Sequence, residues 1–257
     1  MLMEFQSKQQ EIATANVERV DPVSGNATIR FGKAEAVLPK TEQIPNEELK
    51  EGDIVSIDSV IELNGWHSDS AYTFPVGEVS EEVMQLLRTT KQALYLGVEQ
   101  AVTGRRIGDI GAAIQTHCEK AGYGVVREFV GHGIGRSMHE EPEVCNYGRR
   151  GNGLVLKSGM TLAIEPMITL GKRNILIEND GWTARTIDRK PAAHYELSVC
   201  VRNGKADILS TFDYIQEVLG DKFIYQILLI YMSLFYPQHC SSYYSQAQEI
   251  KHAGAIA

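Results

Sequence analysis

The 257 residues of this chain carry 25 Lys and Arg against 33 Asp and Glu, a net charge of −8, with 43% hydrophobic residues. That balance supports a buried core in one large domain or two small ones, which excludes a disordered polymer, and it argues against a general nucleic-acid binder. Cys118, Cys145, Cys200 and Cys240 lie far apart with no CxxC pair, so neither a disulfide framework nor a cysteine zinc site is expected, and reduced thiols in the cytoplasm suit them.

The N-terminal stretch has no apolar core of a signal peptide, and the longest apolar run, Phe223 to Tyr236, is short for a membrane span, so no membrane partner is expected. Three zones differ in texture: 1–52, 53–220 and 221–257. In the first, EIATANVERV, the turn-forming DPVSGN, ATIRFG and AEAVLP predict short strands joined by turns, the texture of a partial small β-barrel. The second predicts mixed strands and helices. Asp53 to Ile61 reads as a strand and Asn64-Gly65 as a two-residue hairpin turn. Ser80 is the expected N-cap of a helix with Glu81 and Glu82 in its first turn. Val83, Leu86, Leu87, Leu94, Val98 and Ala101 form its apolar stripe. A second helix is predicted from Asp109 to Ala121, stopped by Gly122. Strands follow near 124–130, 160–168, 182–187 and 195–202, then a hairpin turn at Asn203-Gly204 and a short helix near 212–219. In the third zone FIYQILLIYMSLFY shows no amphipathic period, and the remainder reads as an unstructured end.

Within the middle zone, a two-residue loop sets Leu63 opposite Trp66 and therefore Val60 opposite Asp69. Val60 shares a strand face with Asp58, so both carboxylates point to one side, about 7–8 Å apart along the diagonal. Two solvated acids on an exposed hairpin would suit the same pattern, so the chemistry depends on what joins them. EFVGHGIGRSMHEEP holds His132 between two glycines, where small neighbours let a ligand approach the ring, and His139 follows in the same segment. Glu165 in MTLAIEPMI and Glu196 in HYELSVCV each interrupt an apolar strand, and a carboxylate is costly to bury unless paired or metal-bound. Leu197, Val199 and Val201 share one strand face, leaving Glu196 on the other. Two Asp, two Glu and one His suit manganese, iron, cobalt or zinc. Four carboxylate charges balance two divalent ions, and two such ions about 3.5–4 Å apart share a water and bring its pKa towards neutrality.

At these residues the chain resembles the type I methionine aminopeptidases. The motifs that carry the likeness are DIVSIDSVIELNGWHSDSAYTF, REFVGHGIGRSMHEEP, LKSGMTLAIEPM, DGWTARTIDR and HYELSVCV, spread from about Glu51 to Gly220. The resemblance implies an α/β (α+β) pita-bread fold, N-terminally incomplete, and a site for two divalent metal ions. Carried over residue by residue, the ligands are Asp58, Asp69, His132, Glu165 and Glu196. His139 matches the histidine that hydrogen-bonds the scissile carbonyl and the tetrahedral intermediate, and Met138 and Trp182 match positions beside the methionine pocket. Glu165 is implied as the group that moves a proton to the leaving amine. The implied activity is removal of the initiator methionine from nascent chains, in the cytoplasm, with the ribosome as a partner. Two other readings share the scaffold: a binding protein, either catalytically impaired or inactive or tethered to RNA through residues 1–52, and a proline-specific peptidase, whose family members carry additional histidines and a longer N-terminal domain.

The chain departs from the pattern in three places. No histidine precedes His67, so the second substrate-contacting histidine and part of the methionine pocket have no counterpart. Residues 1–52 resemble instead the OB-fold RNA-binding module of the bacterial transcription factor NusA, with the seam of a chimera in ELKEGDIV, although Phe5 and Phe31 are the only aromatics there for base stacking. The tail after Gly220 matches neither family, and Val60 stands where many family members carry a smaller or polar residue.

Overall fold

The computed structural model describes residues 16–21, 24, 26–31, 34–38, 50–220 and 223–224. The expectations for residues 1–15, for Phe5 and for the tail from 225 lie outside the described residues. The chain divides into two compact units, Met1–Leu49 and Lys50–Ala257.

In the first unit β1 (Asn16–Val20), β2 (Ala27–Phe31) and β3 (Ala34–Leu38) form an antiparallel three-stranded sheet in chain order. The predicted turn between β1 and β2 is held by Asp21, whose carboxylate accepts from the Ser24 amide at 2.8 Å. A register shift between Val17 and Arg19 adds a bulge to β1. Among the described residues the sheet stays open and no barrel closes.

In the second unit β4 (Ile54–Leu63) and β5 (Trp66–Pro75) pair in the predicted register, with Leu63 opposite Trp66 and Val60 opposite Asp69. Asn64 and Gly65 take φ of 53° and 73°, the left-handed pair that a tight hairpin turn requires. Helix α1 (Glu81–Val98) starts at Ser80, whose hydroxyl accepts from the Val83 amide at 3.3 Å. Its predicted stripe is buried, Leu86, Leu87 and Leu94 completely. Helix α2 (Ile107–Lys120) begins two residues earlier than the pattern suggests. The reason is Asp109: its carboxylate accepts from the Arg106 amide at 2.8 Å and so caps the first turn from inside it. Ile110 and Ile114 of α2 pack with α1 in one core cluster.

Short strands follow: β6 (Gly124–Val125), β7 (Gly131–Gly133), β8 (Glu140–Val144), β9 (Thr161–Ile164), β10 (Met167–Thr169), β11 (Ile175–Ile177), β12 (Ala184–Thr186), β13 (Ala192–His194), β14 (Leu197–Cys200) and β15 (Asp207–Ile208), before helix α3 (Asp213–Leu219). They sort into a five-stranded sheet in the order β15-β14-β9-β7-β8, a three-stranded sheet β13-β10-β6 and the hairpin β11-β12. The strand expected near 124–130 ends at Val125, and those expected near 160–168 and 195–202 meet breaks where the chain changes sheet, the last spanning only Leu197–Cys200. One break falls at Glu165-Pro166, where proline has no N–H to extend the ladder. The other falls at Tyr195-Glu196. Ile164 pairs with Leu197 before the seam and Met167 with His194 after it, so the two glutamates sit where both chains cross between sheets. Backbone that has left its ladder in this way is free to turn side chains into the space between.

Candidate metal centre

Asp58 projects from an exposed strand, whereas Asp69 opposite is only 5% exposed. Burial of Asp69 follows from how β5 lies against residues 194–198. Ala71 and Glu196 exchange backbone bonds, with the Glu196 amide donating to Ala71 at 2.8 Å. The Ser198 hydroxyl accepts from the Asp69 amide at 2.9 Å and donates to the Asp69 carbonyl at 2.9 Å. Thr73 makes the same double contact with the amide and carbonyl of His194, at 2.9 and 2.7 Å. Two hydroxyl side chains thus fix where Asp69 stands relative to Glu196.

His132 lies in β7, buried between β8 and β9. Its Nδ1 is 2.9 Å from the Gly133 carbonyl, which only accepts, so Nδ1 is the donor in that contact and Nε2 is the nitrogen left facing the acids. Nε2 faces the Asp69 carboxylate at 3.9 Å and Glu165 Oε1 at 3.6 Å. The flanking glycines serve packing rather than ligand access: a Cβ on Gly131 would stand 2.3 Å from the Ala163 carbonyl oxygen and one on Gly133 2.3 Å from that of Glu141. Only glycine lets β7 lie this flat between its neighbours.

Glu196 is 1% exposed, and its apolar strand neighbours Leu197, Val199 and Val201 are fully buried on the other face. The ligand atoms of Asp69, His132 and Glu196 all lie within 4.8 Å of one another, and so do those of Asp58, His194 and Glu196. Glu165 joins through His132 and through His194, whose Nε2 is 3.4 Å from Glu165 Oε2. The structure therefore gathers Asp58, Asp69, His132, Glu165 and Glu196, and it adds His194. In sequence His194 lies only two residues before Glu196, but the two are separated by the break between β13 and β14.

Crowding perturbs the acids in one direction. Burial and the neighbouring Asp58 raise Asp69 from 3.8 to about 6. Burial, then Glu165, Asp69 and Asp58, raise Glu196 from 4.5 to about 10. Glu196 Oε1 and His194 Nε2 are buried with no hydrogen-bond partner. A buried carboxylate oxygen without a partner is unfavourable alone, and a divalent cation among these donors would satisfy it. The donor set fits such ions, and Asp58, Asp69, His132, Glu165 and Glu196 are the residues that would hold them.

His139 is exposed, with its ring 4.4 Å from that of His132 in an edge-on arrangement. The loop between β7 and β8 that carries it is braced. Arg136 lies 4.0 Å over the Trp66 ring and donates to the Gly65 carbonyl at 3.3 Å, while Glu140 accepts from the Ser137 amide at 2.8 Å. Met138 in this loop is 38% exposed. Trp182 is 89% exposed on the turn between β11 and β12, where Asp180 accepts from its amide, so its ring packs against little of this chain. No described helix is long and apolar enough to cross a membrane.

Residues 5–203 match metallopeptidase family M24. The chain is 50% identical over 163 residues to a methionine aminopeptidase of Clostridium perfringens, covering 63% of this chain and 66% of the relative. It is 46% identical over 162 residues to methionine aminopeptidase 1 of Bacillus subtilis, covering 63% and 65%. Among solved structures, a methionine aminopeptidase of Thermotoga maritima superposes with a TM-score of 0.63 at 42% identity, over 65% of this chain and 67% of that one. The chain thus spans just under two thirds of the curated relatives it matches. With these neighbours the mixed α/β architecture of the second unit is the pita-bread fold.

Proposed function

Because the chain belongs to metallopeptidase family M24, we propose that it removes N-terminal methionine from peptides and nascent proteins, with two divalent ions held by Asp58, Asp69, His132, Glu165 and Glu196. The observation that carries this reading is the convergence of crowded acidic and imidazole donors around the buried, unpartnered Glu196 Oε1. When bound, manganese, iron, cobalt or zinc supplies Lewis acidity and a water acidic enough to attack at neutral pH. The chain supplies the rest. The acidic cluster attracts the free α-amine of the substrate. His139, exposed beside His132 on its braced loop, donates a hydrogen bond to the scissile carbonyl oxygen as negative charge gathers there. Glu165 takes a proton from the attacking water and delivers it to the departing amine. Met138, next to His139, and Trp182 contribute apolar surface for the methionine side chain. The setting is the cytoplasm, on chains emerging from the ribosome.

Release of methionine from a Met-Gly peptide, with manganese or cobalt added, tests the proposal. Turnover that Asp69→Ala abolishes is expected. No turnover with metal bound would overturn it, and preference for Xaa-Pro peptides would move the chain to the proline-specific members. The open sheet of the first unit keeps RNA binding by residues 1–52, in the manner of a NusA-like module, as a second reading. Retention of RNA in a gel shift by the Asp69→Ala variant would separate that role from peptide hydrolysis.

A further inference from the structure

The two triads of donors mirror each other. One is Asp69, His132 and Glu196, the other Asp58, His194 and Glu196, and in each the ligand atoms lie within 4.8 Å of one another. Glu196 is common to both. Glu165 spans them, with one carboxylate oxygen 3.6 Å from His132 Nε2 and the other 3.4 Å from His194 Nε2. Each half of the cluster therefore contains one aspartate and one imidazole, arranged about two shared glutamates.

His194 is not held there by a hydrogen bond from its ring. Its Nε2 is buried with no hydrogen-bond partner, and Glu196 Oε1, two residues along the same segment, is in the same condition. The backbone of His194 is tied down instead, by Thr73 from β5 and by pairing with Met167 in β10. An imidazole fixed in place, its side chain 15% exposed and its buried Nε2 without a hydrogen-bond partner among three carboxylates, has the disposition of a metal ligand.

Building on the two-ion reading above, we propose that His194 is a sixth donor, which with Asp58 and Glu196 gives the second cation position a nitrogen ligand. Each position then has one imidazole and carboxylate oxygens. Two consequences follow from ligand chemistry. The two ions bind with comparable affinities, because neither position is built from oxygen alone. The second position also favours zinc or cobalt over manganese, since imidazole suits the borderline ions and carboxylate alone the harder ones.

The test measures metal binding to the metal-free full chain by calorimetry, with Co2+ and separately Mn2+ as probes, and follows the visible absorption of the Co2+ form. The wild type is expected to take up two equivalents. His194→Ala is expected to keep one at unchanged affinity and to weaken the other at least about tenfold, more for Co2+ than for Mn2+, with a changed absorption band for the second equivalent. His194→Gln, which keeps the side-chain volume and a polar atom, serves where the alanine variant does not fold and is expected to lose the Co2+ preference. Two wild-type-like equivalents and an unchanged second Co2+ band in a folded His194 variant would overturn the role of His194 alone. Failure of the wild type to bind either ion would overturn the metal centre itself.

Discussion

Replacing Glu196 by Gln in the metal-free chain should stabilise it at alkaline pH, although Glu196 is among the most deeply buried residues of the cluster. Burial and the Glu165, Asp69 and Asp58 carboxylates raise Glu196 from 4.5 to about 10. Between those values the unfolded chain has released this proton while the folded chain retains it, so every unit of rising pH costs the folded state about 1.36 kcal/mol. The stabilising contribution is present below about 4.5 and is lost as pH climbs towards 10. Glutamine has no such proton to lose. The gap in stability between Glu196→Gln and wild type should open in favour of the variant by up to about 4 kcal/mol between pH 5 and 8. Urea unfolding in EDTA across that range reads the gap, and comparison of the two chains cancels other titrating groups. Divalent metal should narrow the gap, because an ion at 100 times its dissociation constant adds about 2.7 kcal/mol to the protein that binds it. A metal-free variant less stable than wild type at pH 8, or a gap independent of pH, would refute the account of a charge-frustrated cluster.

Three more outcomes are expected. Gly131→Ala puts a Cβ 2.3 Å from the Ala163 carbonyl and should cost about 3 kcal/mol in urea unfolding; wild-type stability would mean that β7 is not packed this closely. Burial lowers Lys91, which is 1% exposed and donates to the Ile224 carbonyl at 2.9 Å, from 10.5 to about 7. The unfolded chain holds that proton longer, so wild-type stability relative to Lys91→Met should rise as pH goes from 7 to 10 in metal-loaded protein, and a flat difference would contradict it. His139→Ala should lose about 100-fold in methionine release while metal uptake by calorimetry stays unchanged; loss of metal would make His139 a ligand instead.

Much of this site was legible in the sequence. The Asn64-Gly65 turn set the register of β4 and β5 to the residue, and that register alone placed Asp58 and Asp69 on one face. Ser80 and the stripe of α1 were equally direct, since a cap and a 3.6-residue period are local signals. The changes of sheet at Glu165-Pro166 and Tyr195-Glu196 were not legible as such, because an apolar run has the same appearance whether it serves one sheet or two. For that reason the MTLAIEPMI pattern points to Glu165 inside a strand, although it falls at the break. The place of His194 depends on Glu165, 29 positions away in sequence and 3.4 Å away in space, which no local pattern conveys. The glycines around His132 suggest ligand access, whereas the close approach is by the Ala163 and Glu141 carbonyls. Ser198 and Thr73 have no sequence signal, since a hydroxyl bonding both backbone groups of a facing residue requires the facing residue to be known.

Anomalous diffraction from crystals grown with cobalt tests the centre most directly. Two peaks are predicted, one in contact with Asp69, His132 and Glu196 and the other with Asp58, His194 and Glu196. Cobalt bound only at surface carboxylates, with no ion in contact with the Glu196 side chain, would contradict the account.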